Sequence, residues 1–176
     1  MEQNNCGGKN YQIQAKNIGH VGDNIYQSSL PSGAELLKKG CDLLKRRAYV
    51  EAAKILQDAI MTDPLLSDAF YYLAIALLGG RKPREVDNWT IQDIEEKLNS
   101  AILGDTKTPK YYVLLAIIKY GYYSMNGFIE RHPTSAQLFD QGEPIDAEFA
   151  KEILYHLNDP KNPYWVQLQS KFSKFN

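Results

Sequence analysis

The chain has 176 residues, a formal net charge of −1 and 44% hydrophobic residues. This length is sufficient for one domain with a substantial core. Because acidic and basic residues nearly balance, bulk charge gives no reason to expect nucleic acid or an anionic membrane surface as the partner. The first residues lack the basic and apolar regions of a secretory signal, and no apolar run approaches the roughly 20 residues that span a bilayer. We therefore expect a cytoplasmic protein without a membrane segment.

Residues 1–31 form an N-terminal tail that differs in composition from the rest of the chain. The tail is rich in Asn, Gln and Gly and has no helical periodicity. An Asn followed by an apolar residue recurs every seven positions, at Asn10-Tyr11, Asn17-Ile18 and Asn24-Ile25. Asn ladders and repeated apolar pairs are typical of stacked, in-register strands. The tail is therefore predicted to be non-helical, with room for one or two short strands.

Within the tail, His20–Tyr26 (HVGDNIY) resembles the core of amyloid-type homotypic signalling motifs, although the Gln that precedes the β-branched residue in those motifs is absent. The resemblance implies a component of a bacterial immune-type or conflict signalling system that forms homo-oligomers through the tail. The alternative is a tail that docks on the helical part of the chain or on a partner. The residues expected to make either contact are Tyr11, Ile13, Ile18, Val21, Asn24 and Ile25.

Residues 33–66 are predicted to form two antiparallel helices joined by a turn at Arg46–Ala48. The apolar residues of the first helix recur at helical spacing, and Ser32 followed by Glu35 has the pattern of a capping box. The second helix carries its own apolar stripe and ends before Asp63-Pro64. Two helices of this length cannot bury both of their faces, so the pair needs a neighbour.

Small residues occupy three positions in this unit. Counted from Gly33, Gly40 is eighth, Ala52 is twentieth and Ala59 is twenty-seventh, and they are expected where two helices cross closely. With Tyr49 and Pro64, they form a pattern that resembles the tetratricopeptide repeat (TPR), whose period is 34 residues. The resemblance implies an all-α fold in which antiparallel helix hairpins build a right-handed superhelix.

The helical domain, residues 32–176, is predicted to contain about three such repeats and a capping helix. The repeats span residues 33–66, 67–108 and 109–160, and the second is lengthened by a polar connection over residues 79–88, after which a helix resumes near Thr90. The third contains a long loop with a helical turn at Ser135–Phe139. The capping helix, residues 162–174, is expected to begin at the N-cap Asn162 and to shield the last apolar face.

The TPR resemblance also implies a concave groove lined by defined positions of the first helix of each repeat. The residues that the resemblance places in this groove are Leu37, Cys41, Asp68, Tyr71, Ile75, Lys110, Val113, Ile117 and Tyr120. Family members that grip a C-terminal carboxylate have Lys and Asn where Leu37 and Cys41 stand here. An apolar groove instead favours an amphipathic helix or an extended apolar peptide, or it is filled by the chain's own C-terminal helix or tail.

No residue set in the sequence predicts a reaction, a cofactor or a metal site. The three His residues, His20, His132 and His156, lack the spacing of metal ligands, and Cys6 and Cys41 form no CxxC motif. Cys41 with a His could form a nucleophilic pair, but nothing in the local sequence supports one. The sequence therefore favours a non-enzymatic adaptor or scaffold for a protein or peptide partner; the alternative is the conflict-signalling component.

Overall fold

The computed structural model describes residues 30–172, and this part of the chain consists of α-helices, short 3-10 turns and loops without a strand. The predicted all-α fold is confirmed for this range. The α-helices are α1 Gly33–Lys45, α2 Tyr49–Thr62, α3 Ser67–Leu78, α4 Asn88–Gly104, α5 Pro109–Tyr122, α6 Ser135–Gln141, α7 Ala147–His156 and α8 Pro163–Phe172. The predicted tail contacts, from Tyr11 to Ile25, lie outside the described residues.

Helices α1 and α2 form a hairpin whose start and crossing follow the sequence pattern. The Ser32 hydroxyl accepts a hydrogen bond from the Glu35 N–H, and the Glu35 carboxylate accepts one from the Ser32 N–H, at 3.3 and 2.8 Å. This is the predicted capping box. A Cβ atom at Gly40 would lie 2.6 Å from Cγ of Leu56, so any larger residue at this helix contact would require Leu56 to shift. Ala52 and Ala59 are also fully buried.

Helices α3 and α4 form the second hairpin, and each helix from α2 to α5 packs against the next. Gly79 ends α3 in the left-handed region with φ 65°, where a Cβ would be strained. Helix α4 begins at Asn88, two residues before the predicted start near Thr90, because the Asp87 carboxylate caps it by accepting a hydrogen bond from the Thr90 N–H at 2.9 Å.

Helix α5 is buried on nearly all sides and packs against α4, α6, α7 and α8. Helix α6 has seven residues and continues beyond the predicted turn at Ser135–Phe139. The predicted N-cap Asn162 accepts a hydrogen bond from the Tyr164 N–H at 3.1 Å at the start of α8. Trp165 and Leu168 of α8 are buried, as expected of a helix that closes the core. Between residues 30 and 172, no helix has both the length and the apolar character to cross a membrane.

Candidate functional site

The predicted groove is covered in large part by the chain itself. Five of its nine residues are buried, namely Tyr71, Ile75, Lys110, Val113 and Ile117. The remaining four, Leu37, Cys41, Asp68 and Tyr120, are half-buried.

The covering residues come from the last part of the described chain. The α6–α7 loop approaches α5 so closely that a Cβ at Gly142 would lie 2.6 Å from Cγ2 of Val113. The Asn162 side-chain amide donates to the Ile117 carbonyl at 2.9 Å, and the Tyr164 ring lies edge-on to Tyr120 with centroids 5.5 Å apart. Along α5, the groove is thus filled by the C-terminal segment, which is the alternative that the sequence left open.

Where the groove passes α3, it contains a buried cation. Nζ of Lys110 lies 2.8 Å from Oδ1 of Asp68, and the Lys110 side chain is almost fully buried. Four aromatic rings, from three helices, surround the ammonium group at centroid distances of 4.6 to 5.7 Å. The rings belong to Tyr71, Tyr72, Tyr111 and Phe149. The ion pair and the ring faces together replace the water that the ammonium group loses on burial.

The Lys110 cluster ties three helices together. Asp68 lies in the first turn of α3, Lys110 in the first turn of α5, and Phe149 on α7. The Asp68 carboxylate also accepts a hydrogen bond from the Tyr111 hydroxyl at 2.8 Å. The cluster therefore fixes the position of α7 relative to the first helices of the two preceding hairpins.

Next to this cluster, an open cleft of about 500 Å³ separates α1 and α3 from α7. Its walls are mainly apolar and aromatic. The lining residues are Cys41, Leu44, Lys45, Tyr72, Glu148, Phe149, Lys151, Glu152, Tyr155 and His156. The cleft is bridged where the Tyr155 hydroxyl donates to the Lys45 carbonyl at 2.8 Å. Of the predicted groove residues, Cys41 remains directly in the cleft, while Asp68, Tyr71 and Lys110 lie in the adjoining cluster.

Two polar atoms on α7 are buried at the cleft without a hydrogen-bond partner in the described part of the chain. They are Oε1 of Glu152 and Nδ1 of His156, which are four residues apart and so share a helix face. Burial raises the pKa of the Glu152 carboxyl, while Lys110 and the Tyr72 hydroxyl act in the opposite direction. Burial, and then the Arg47 charge, lower the pKa of His156 to about 4.

The cleft brings Cys41 and His156 to the same site, but the thiol lacks the properties of a nucleophile. Burial, and then the charge of Glu152, raise the pKa of Cys41 to about 11. Activated cysteines have a lowered pKa and a basic partner. Residues 30–172 also contain no group of three or more His, Cys, Asp or Glu side chains that could hold a metal ion. The Cys41 thiol is therefore not activated for nucleophilic attack.

A Cys6→Ser variant should test this property of Cys41, the remaining thiol. At pH 8, a pKa of about 11 leaves about one thiolate in a thousand, whereas an ordinary thiol has roughly one in four. We expect iodoacetamide to modify Cys41 about a hundredfold more slowly in the folded protein than in urea-unfolded protein. Mass spectrometry of timed samples gives both rates. Equal rates in the two states would contradict a buried, protonated thiol.

The buried His156 predicts a pH dependence of stability. Its folded pKa of about 4 lies below the ordinary value of 6.5, so the unfolded chain binds the proton more readily and stability falls as the pH drops from about 6.5 to about 4. Relative to His156→Gln, the wild type should lose up to about 3 kcal/mol of unfolding free energy across this range. Urea titrations at several pH values measure both proteins. Subtracting the unfolding free energy of the variant from that of the wild type removes the contribution of titrating groups that both proteins share, including Glu152. If the two free energies change with pH in parallel, His156 does not have a lowered pKa in the folded protein.

The wall that α7 contributes to the cleft was not predicted from the sequence. Phe149, Glu152 and His156 are spaced three and four residues apart, so they occupy one face of a helix. That face is recognisable from spacing alone. The TPR positions, however, direct attention to the first helix of each repeat. Helix α7 comes after the long connection that follows α5, in which the one α-helix is the short α6.

Comparisons with known proteins give no assignment for this site. The sequence matches no protein-family profile, and no curated protein shows significant similarity to it.

Proposed function

We propose that the protein is a non-enzymatic adaptor that binds a protein or peptide partner in the cleft between α1, α3 and α7. The observation that carries this proposal is the cleft itself. It is open, has a volume of about 500 Å³ and has mainly apolar walls. Two of its lining residues, Glu152 and His156, each carry a buried polar atom without a hydrogen-bond partner within residues 30–172. An apolar lining with a few polar groups that fix orientation is typical of binding sites.

The same proposal includes a TPR-like scaffold in a cytoplasmic setting, and the spacing of the hairpins supports the scaffold. Helices α1 and α3 begin at Gly33 and Ser67, which are 34 residues apart, and each starts a hairpin. Helix α5 is the first helix of the third predicted repeat. It begins 42 residues after α3 because the connection between α3 and α4 is longer. Scaffolds of stacked hairpins present partners with a continuous concave surface. In this chain the C-terminal helices reduce that surface to the cleft.

The expected ligand is a side chain or short segment that enters an apolar site, rather than a C-terminal carboxylate. Leu37 and Cys41 supply no positive charge, and the one buried cation nearby, Lys110, is already paired with Asp68. A free carboxylate would also meet the buried Glu152. Like charges within a poorly hydrated site are strongly unfavourable.

Filling the cleft should abolish partner capture. We expect Cys41→Phe, which adds a large ring at the cleft wall, to reduce recovery of the specific partner from native lysate about tenfold or more. Quantitative mass spectrometry of pull-downs compares the variants. The matched control is Met61→Phe, which places the same ring on the exposed face of α2, where Met61 is 66% exposed. Equal partner recovery by both variants would argue against the cleft as the binding site.

A further inference from the structure

The Lys110 cluster next to the cleft has one buried cation that interacts with two carboxylates, those of Asp68 and Glu152. Lys110 is the buried cation, and its ammonium group already contacts Asp68 at 2.8 Å. Glu152 lies close enough to Lys110 for the two charges to interact, and the Tyr72 and Tyr71 hydroxyls also lower the pKa of its carboxyl. Even so, Oε1 of Glu152 accepts no hydrogen bond of normal geometry within residues 30–172. Lys110 is therefore the one buried cation that interacts with both the Asp68 and the Glu152 carboxylates. Burying a carboxylate oxygen without a donor is costly, so a ligand that supplies a donor and positive charge would be favoured.

The charged residues at the cleft rim do not supply the hydrogen-bond donor that Oε1 of Glu152 lacks. Lys45 pairs with Asp42 at 3.3 Å, so its charge is compensated on α1 itself. On α7, Lys151 and Glu148 lie at the same cleft with opposite charges. His156 is neutral at physiological pH because its pKa is lowered to about 4. Arg47 adds positive charge beside Tyr155 and His156. Within residues 30–172, the cleft carboxylate with an oxygen that lacks a hydrogen bond is that of Glu152.

The aromatic walls suit a cation. Tyr72, Phe149 and Tyr155 line the cleft, and ring faces attract positive charge. The chain already uses two of these rings in this way, since Nζ of Lys110 lies 4.9 and 5.1 Å from the centroids of Tyr72 and Phe149. The Arg47 guanidinium lies 5.7 Å from the centroid of Tyr155 at the outer edge. A guanidinium is planar and more weakly hydrated than an ammonium, so it enters such a site at lower cost.

We propose that the cleft binds an arginine side chain of the partner polypeptide, with its guanidinium against Glu152 and its apolar stem along Tyr72 and Phe149. This inference rests on the proposed adaptor function. It names the partner residue that enters the cleft. The cleft volume of about 500 Å³ accommodates one such side chain together with its backbone neighbours.

The experiment uses the full-length, ¹⁵N-labelled protein and N-acetyl-arginine N-methylamide as the probe. We expect saturable NMR shift changes at the cleft residues. The citrulline analogue has the same shape without the charge and should bind about tenfold more weakly or worse. The lysine analogue should also bind more weakly than the arginine probe. Equal binding of the citrulline or the lysine analogue would overturn the proposal, as would the absence of saturable shifts with the arginine probe.

Two variants test the role of Glu152. Glu152→Gln should weaken binding of the arginine probe about tenfold, whereas Glu148→Gln at the exposed rim should change it no more than about twofold. Unchanged binding by a folded Glu152→Gln protein would overturn the proposal. If Glu152→Gln does not fold, Cys41→Phe tests the site by blocking the cleft while leaving the Glu152 carboxylate in place. Retained binding of the arginine probe by Cys41→Phe would also overturn the proposal.

The two proposals can fail separately. If Cys41→Phe loses the partner but the arginine probe does not bind the wild type, the adaptor function stands and the arginine inference is wrong. If the probe binds at the cleft but partner recovery is the same in Cys41→Phe and Met61→Phe, the assignment of the partner to the cleft is wrong.

Discussion

Replacing Lys110 by Ala is expected to lower the free energy of unfolding by about 3 kcal/mol. The side chain is almost fully buried, is paired with Asp68 at 2.8 Å and lies against four aromatic rings. The alanine removes the apolar stem, leaves space among the rings and takes the cation away from two carboxylates. Urea unfolding followed by far-UV circular dichroism measures the change.

A second substitution at the same position separates packing from charge. Lys110→Met retains most of the stem but not the charge, and we expect it to recover about half of the loss. Asp68 is partly exposed and can be hydrated after the cation is removed, so its cost is limited. A loss below about 1 kcal/mol for Lys110→Ala would show that the cluster contributes little to holding α7 in place.

Replacing Gly40 by Leu is expected to destabilise the protein by about 3 kcal/mol or more, or to prevent folding. Helix propensity alone predicts the opposite sign, because Leu is a better helix former than Gly by nearly 1 kcal/mol. Packing decides the outcome. A Cβ at this position would already lie 2.6 Å from Cγ and Cδ2 of Leu56, a fully buried residue, and Leu adds three further carbon atoms.

The neighbouring residue provides the control for Gly40→Leu. Lys39 is exposed on the same helix, so Lys39→Leu introduces the same side chain without entering the α1–α2 contact. We expect this control to change stability by no more than about 0.5 kcal/mol. Thermal and urea unfolding of both variants measure the difference. Equal stability of the two variants would contradict a close crossing at Gly40.

The first five helices could be predicted because their apolar spacing and end signals agree. Ser32 and Glu35 set the start of α1, and Asp63 follows the end of α2 as expected. Gly40 could be assigned to a helix contact from its small size and its position in the repeat pattern, and the structure places Cγ of Leu56 only 2.6 Å from where a Cβ would lie. Local sequence therefore carries most of the information about these elements.

The C-terminal part was harder to predict for physical reasons. Helix α6 has seven residues, too few to show two full turns of periodicity. Where α6 to α8 pack is also a long-range property, and a repeat pattern contains no information about it. Val113 and Ile117 have the spacing of groove residues whether a partner or the chain itself covers them, and here the covering groups include Gly142 and Asn162.

The candidate site was recovered in part for similar reasons. Cys41, Asp68 and Lys110 were identified from repeat positions, and they do lie in or beside the cleft. The sequence could not show that Lys110 is buried, because lysine is ordinarily exposed and its partners come from three helices. Glu152 and His156 become relevant only after α7 is placed against α1 and α3.

Photo-crosslinking from the cleft tests the central claim most directly. Benzoylphenylalanine at Tyr155, a half-exposed residue of the cleft, should form a defined adduct with one polypeptide in native lysate. The same group at Leu65, which is 88% exposed in the turn between α2 and α3, should not form that adduct. An adduct from Tyr155 that disappears in the Cys41→Phe background is the result we predict. No adduct from Tyr155, or the same adduct from both positions, would contradict partner binding in this cleft.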